Sequence, residues 1–290
     1  MIKAYIQVPY ESFTLVQIRN DIRDHSLNTM TEVLTQEEAD VVLLYVIGKR
    51  DHIAREVHRL KGMGKKVVLL QCALRSTRDP DTMAWIDIWR EADLVWSYYD
   101  LKQLLKDDGH RATFNFYHSP LGVNKVFKQH GVNKEYAIVT NGEFFEAESY
   151  HEIWTAAEMA GVEVMHIGKV FDYYEAVTYI PHGGNRPRMS GYFSQCHYVS
   201  GLRRKEGFEL PAAEGLVCGA RPVLYDRPHY RKWFGDLAEY IPEEKPAEVI
   251  KNLVRLFSQP VRTVMPAEIE EARQRFDWQN ITDELWRRCA

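Results

Sequence analysis

The hydrophobic pattern switches repeatedly between two spacings. IKAYIQV, near the start, is a short apolar run of strand type, and FTLVQIRNDIRDH spaces its apolar residues as one face of a helix. ADVVLLYVIG is a continuous apolar run, and DHIAREVHRLKGMG returns to helical spacing and stops at glycines. KKVVLLQCAL is a second buried strand. After the polar loop RSTRDPD come a helix, MAWIDIWREA, and a strand, ADLVWSY. Strands that are apolar throughout, each followed by a helix, predict a parallel sheet covered on both faces.

Residues 114–134 break this rhythm with Pro120, Gly122 and Gly131 and read as a linker. The pattern then restarts. EYAIVTNG is a strand, YHEIWTAAEMAG a helix with a glycine stop, and VEVMHIG and AVTYIPH are strands. A helix is expected from Pro211 to Cys218, followed by the strand ARPVLYD and the helix KPAEVIKNLVRLFSQ. EIEEARQRFDWQNITDELWRR closes the chain as helix. The expected organisation is therefore α/β: a doubly wound domain at 1–120, a linker at 121–134, a second doubly wound domain at 135–272, and a tail helix at 273–290 that returns to the first domain. Ligands of open parallel sheets lie at the carboxyl ends of the strands.

Composition changes this picture little. The 290 residues suit two domains of roughly 100–150 residues each. Hydrophobic residues make up 45% and charged residues 27%, which is ordinary for a soluble globular protein. The net charge of −4 lacks the global basic field of a nucleic-acid binder. Cys72, Cys196, Cys218 and Cys289 are scattered without a C-x-x-C pair, against a zinc cluster or disulfide framework. The N-terminus lacks a signal-peptide core, and no apolar run approaches the roughly 20 residues that cross a bilayer. A cytoplasmic protein without integral membrane contact is expected.

The densest chemistry lies at EGFELPAAE, residues 206–214. Proline is tolerated in the first turn of a helix, so Pro211 marks a start and places Glu214 about one turn in. The backbone at Gly207, Phe208, Glu209 and Leu210 would then lie at a helix N-terminus, where amides and dipole favour an anion. Glu206 and Glu214 suit a hydroxyl-rich ligand, because an ionised carboxylate accepts several hydrogen bonds. Taken alone, the two are equally explained as a surface glutamate and a helix-start glutamate.

EGFELPAAEGLVCGARPVL resembles the donor-binding segment of retaining GT-B glycosyltransferases of the glycogen-synthase-like, family-four type, E-G-F-G-L-P-x-x-E-A-x-x-x-G-x-P-V. SPLGVNKVF is similar to that family's linker entry, YFSQCHYVSGL to the segment before the first glutamate, and RFDWQNITDELW to its closing helix. The resemblance covers the second domain and linker; the first domain matches by architecture only. It implies two Rossmann-like domains facing a cleft. It also implies transfer of a hexosyl or pentosyl group from a nucleoside diphosphate, of UDP type, to an acceptor hydroxyl, with retention and without metal or other cofactor. Glu206 would contact the donor sugar as the catalytic carboxylate and Glu214 the ribose. The backbone at Gly207, Phe208, Glu209 and Leu210 would meet the sugar and diphosphate, and Gly142 would flank the phosphates.

This sequence departs from the family where an arginine and a lysine normally clamp the diphosphate. That stretch is TNGEFFEAESYHE, acidic and without either. Arg203, Arg204 and Lys205 are nearest in sequence to the donor loop, and Arg186 and Arg188 in HGGNRPR are a second source of charge. Glu209 stands where the family has glycine, and Gln71 where it often has histidine. A solvated charge run equally explains residues 203–205.

His118 and His182 are candidate site residues, or structural histidines; His52 and His58 fall on a surface helix. Trp85, Trp89 and Trp96 suit helix packing, or stacking on an acceptor. DPD at 79–81 matches a metal-binding D-x-D only in letters. The acceptor is a glycan or small molecule, with a hydroxymethylated base in DNA as an alternative, and a non-catalytic nucleotide-sugar-binding module is the rival from another class.

Overall fold

A computed structural model describes residues 1–8, 13–46, 49–71, 85–142, 148–169, 173–181, 185–204 and 208–290. The chain divides into two compact units, residues 1–122 with 277–290, and residues 123–276.

The first unit is built on a six-stranded sheet. In chain order its elements are β1 (Ile2–Gln7), α1 (Phe13–Asp24), β2 (Met30–Glu32), β3 (Val41–Tyr45), α2 (Arg50–Gly62), β4 (Lys66–Gln71), α3 (Trp85–Glu91), β5 (Leu94–Ser97), α4 (Leu101–Asp107) and β6 (Phe116–His118). The strand order is β2-β1-β3-β4-β5-β6, and every pairing is parallel. Every residue of β3 and β5 is buried, as expected of central strands with helices on both faces. β2 and β6 are edge strands of three residues each. Too short to carry a pattern of their own, they were not predicted, and β6 falls inside the stretch read as linker. It pairs with β5 through Phe116, Tyr117 and His118.

The one long helix expected at the end of the chain is two, α10 (Pro266–Arg275), which belongs to the second unit, and α11 (Trp278–Cys289), which belongs to the first. Phe276, which is buried, and half-buried Asp277 separate them, and the Asp277 carboxylate caps α11 by accepting from the Gln279 N–H at 3.0 Å. α11 is tied down by Thr282 Oγ1 donating to His25 O at 2.7 Å, Trp286 Nε1 donating to Ser26 Oγ at 2.7 Å, and Tyr117 Oη donating to Ile281 O at 3.0 Å. Trp278 packs edge-on to Trp96, and a methyl on Gly122 would lie 2.4 Å from its ring.

The second unit has β7 (Tyr136–Gly142), α5 (Tyr150–Ala160), β8 (Val164–Gly168), β9 (Val177–Ile180), α6 (Arg186–Ser194), β10 (Cys196–Gly201), α7 (Leu210–Val217), β11 (Arg221–Tyr225), α8 (Pro228–Phe234), a short 3-10 turn (Gly235–Leu237), β12 (Glu239–Ile241) and α9 (Pro246–Phe257), before α10. Its strand order is β12-β11-β10-β7-β8-β9, again all parallel. In local order this is the 3-2-1-4-5-6 arrangement, whose direction reverses between β7 and β10.

β10 was not predicted, because CHYVSG mixes polar and apolar positions; pairing with β7 on one side and β11 on the other makes it central. Residues 186–188, read as loop, form the first turn of α6. Asn185 caps it by accepting from the Arg188 N–H at 3.1 Å, and Pro187 sits where its missing N–H costs nothing. Among the described residues, no helix is long and apolar enough to cross a membrane.

Candidate functional site

Where β7 and β10 lie side by side, the chain beyond each must turn in opposite directions, leaving a crevice at the carboxyl edge of the sheet. Gly142 ends β7 and Gly201 ends β10. Gly142 has φ 137°, a conformation open to glycine, and a methyl there would lie 2.3 Å from one carboxylate oxygen of Glu148 and 2.6 Å from the other. A methyl on Gly201 would lie 2.9 Å from Glu209 Cγ. The end of β7 thus gives up a side chain to make room for Glu148, and the end of β10 for Leu224 and Glu209.

Both glutamates face Arg203. Its Nη2 donates to Asn141 O at 2.8 Å and meets Glu148 Oε1 at 3.1 Å, and its Nε stands 3.6 Å from Glu209 Oε2. The side chains of Glu148 and Glu209 are 3% and 0% exposed, so both carboxylates have left water and depend on this guanidinium and its neighbours. Tyr230 Oη also donates to Glu209 Oε1 at 3.4 Å. Of the candidates from the sequence, Gly142, Arg203 and Glu209 are therefore brought together.

A second set of charges continues along the rim. Arg204 Nη2 donates to Glu152 Oε1 at 2.8 Å, with its guanidinium 5.3 Å from the centre of the Tyr225 ring. Arg227 forks onto Glu243 through two bonds of 2.9 Å and donates to Arg204 O at 3.0 Å. Burial raises the Tyr225 hydroxyl above its ordinary value against an opposing bond to Ser149, so it stays neutral. Three arginines and four glutamates from the segments that follow β7, β10, β11 and β12 thus form ion pairs along this edge. Sequence reasoning passed over Glu148, Glu152, Tyr225, Tyr230 and Glu243. The available signal was the acidic stretch after β7, which had to be balanced by the arginines after β10.

The donor-type segment follows β10 directly. Lys205, Glu206 and Gly207 lie outside the described residues. Phe208 is buried and packs on Phe234 and Phe276, with ring centroids 6.1 and 5.9 Å away. α7 begins at Leu210, with Pro211 in its first turn and Glu209 as N-cap without a side-chain cap. The Leu210 amide donates to Phe208 O at 3.1 Å, so it is already engaged in the turn. Glu214 is half-buried in the second turn of α7.

Beneath this edge, Thr140 Oγ1 meets His166 Nδ1 at 2.9 Å and His166 Nε2 meets Lys169 O at 3.1 Å. A carbonyl can only accept, so Nε2 carries the proton and Nδ1 accepts from Thr140. Burial lowers the His166 pKa, and the ring is neutral.

The remaining candidates divide. Trp89 and Trp96 are core residues, 1% and 0% exposed, and Trp89 Nε1 donates to Gln71 Oε1 at 2.9 Å. His118 ends β6, with Nδ1 3.9 Å from Asp100 Oδ2. His52 and His58 are exposed. His182 and residues 79–81 lie outside the described residues. Among the described residues, no group of three or more histidine, cysteine or acidic side chains could hold a metal ion.

The sequence matches no protein-family model and no curated protein. The structure is similar to several solved ones at low identity. HepE from Anabaena, solved in complex with UDP, superposes with a TM-score of 0.72 at 13% identity, covering 98% of each chain. Sucrose-phosphate synthase from Thermosynechococcus elongatus gives 0.70 at 13% identity, covering 99% of this chain and 98% of the other. The pneumococcal O-GlcNAc transferase GtfA, in complex with UDP and GlcNAc, gives 0.69 at 13% identity over 93% of this chain, which spans only 58% of GtfA. With two six-stranded parallel sheets and their helices in one chain, the protein has the two-domain, Rossmann-like α/β fold of GT-B glycosyltransferases.

Proposed function

We propose that this protein is a glycosyltransferase, moving a hexosyl or pentosyl group from a UDP-type nucleotide-sugar to an acceptor hydroxyl, with retention and without a metal ion. The observation that carries this reading is the position of residues 208–214, the described part of the donor-type segment. They form the start of α7 and the turn before it, where Glu209 lies against the carboxyl end of β10, the strand beside β7 at which the winding order reverses. Two of the similar structures, HepE and GtfA, were solved with UDP, which supports the same use of the site here.

In this reading Glu206 binds the donor sugar, Glu214 the ribose, and the backbone from Gly207 to Leu210 the sugar and diphosphate, with Gly142 flanking the phosphates. Lys205 supplies positive charge to the diphosphate, while Arg203 is held by Glu148 and Glu209. Stabilising the leaving diphosphate and an oxocarbenium-like sugar is the main electrostatic demand. The acceptor is a glycan or small molecule; the net charge of −4 disfavours DNA.

The test is release of nucleoside diphosphate from a panel of UDP-, GDP- and ADP-sugars, with glycan, small-molecule and hydroxymethylated-DNA acceptors. Glu206→Ala is expected to lower the rate about 100-fold or more, and Glu214→Ala to raise the donor KM about 10-fold. The buried acidic residues beside Arg203 favour one other reading, a module that binds nucleotide-sugar without turning it over. Donor binding without release, unchanged by Glu206→Ala, would establish that reading instead. Neither binding nor release with any donor would remove both.

A further inference from the structure

We infer that Arg203 is a positioning residue: it locks the end of β7 to the start of α7, and so sets the backbone of the donor segment rather than serving as a mobile phosphate ligand. This deepens the proposed function and rests on it for its ligand.

The guanidinium makes contacts on both sides of the crevice. On the β7 side it holds Asn141 O at 2.8 Å and Glu148 at 3.1 Å; on the α7 side it faces Glu209 at 3.6 Å. Residues 148 and 203 also form an isolated antiparallel bridge, so their backbones are paired as well as their charges. Glu209 is the N-cap of α7, between Phe208 and Leu210, so a shift of its side chain moves the turn proposed to meet the donor. Swinging Arg203 onto a diphosphate would deprive two buried carboxylates of their shared cation, a strongly unfavourable exchange in a low-dielectric site. Gly142 is independent evidence that the arrangement is built, since a side chain there would collide with the Glu148 carboxylate; one at Gly201 would collide with Leu224 and with Glu209. Lysine cannot replace the fork, because an ammonium is a single point charge without the planar spread that reaches the Asn141 carbonyl and both carboxylates.

The experiment compares wild type, Arg203→Lys and Glu209→Gln, with Arg59→Lys, which alters an exposed ion pair with Glu56 in the first unit, as control. Hydrogen exchange of ligand-free protein reads residues 137–142 and 208–213 separately, and calorimetry reads UDP affinity. The expected result for Arg203→Lys is faster exchange in both segments together and a UDP Kd raised 10-fold or more, with the melting temperature within a few degrees of wild type. Glu209→Gln should reproduce both effects and serves as the second variant if Arg203→Lys does not fold. The control should change neither.

The inference is overturned if the segments respond independently, or if a folded Arg203→Lys binds UDP as wild type does. Failure of the donor reading looks different: wild type itself would not bind UDP, GDP or ADP. The paired exchange response then still decides whether Arg203 couples the two segments.

Discussion

The guanidinium of Arg221, wholly buried in β11, meets the carboxylate of Glu268 in α10 at 2.8 Å. It also donates to Arg262 O at 3.0 Å, Thr263 O at 3.3 Å and Asp236 O at 3.4 Å. One arginine therefore fastens α10 and the segment before it onto the second sheet. Removing Arg221 leaves three carbonyls without this donor and leaves Glu268 with only the exposed Arg262 and the Met265 N–H. Arg221→Ala should lose about 3–5 kcal/mol in chemical denaturation. The double variant Arg221→Met with Glu268→Leu should lose less than the two single changes added together; additive losses would show that the pair is not coupled.

Glycines in two helices should respond oppositely to alanine. A methyl on Gly215, in α7, would lie 2.5 Å from Val199 Cγ1 of β10, whereas nothing lies within 4 Å of one on Gly62 at the end of α2. Gly215→Ala overpacks the helix–sheet contact and is expected to cost about 1–3 kcal/mol despite its better helix propensity. Gly62→Ala should be neutral or stabilise by up to about 1 kcal/mol. Urea midpoints of the two variants check the pair of signs.

Stability should fall as pH drops below neutrality. Burial, aided by the charge of Arg227, lowers His229 from 6.5 to about 4, and burial also lowers His166. Both rings are neutral in the native protein. As pH falls below 6.5 the unfolded chain takes up protons that the folded chain refuses, so stability decreases, for His229 down to about pH 4. A urea midpoint that is flat between pH 7.5 and 4.5 would contradict this. His229→Gln should reduce the slope.

Burial pushes the thiols of Cys196, Cys218 and Cys289 up to about 12. The thiolate is the reactive form, so these three should resist iodoacetamide at pH 8 in native protein and react after unfolding. Mass spectrometry of labelled peptides reads this directly, and native labelling at Cys196 or Cys218 would count against the described core.

Local pattern explains why some elements were legible and others were not. β3, β4, β7, β8 and β11 are apolar runs whose residues pair on both sides, so periodicity and burial agree. β2, β6 and β12 are three-residue edges that exist only because a neighbouring strand offers a free ladder. In CHYVSG, His197 and Ser200 hid a central strand. α6, with Gly191 and two serines, lacks an apolar stripe and is recognised by its Asn185 cap instead.

The donor-type motif, the glycine at the end of β7 and the missing cation pair were all visible in order along the chain, because each is a matter of neighbouring residues. Where the balancing charge lies was not. Glu148 and Arg203 are 55 positions apart in sequence and meet at 3.1 Å only because β7 and β10 are adjacent in the sheet. Glu209 joins them because α7 starts at the same edge. Burial of both carboxylates then favours their pairing with a guanidinium, a preference that arises only once folding has removed them from water.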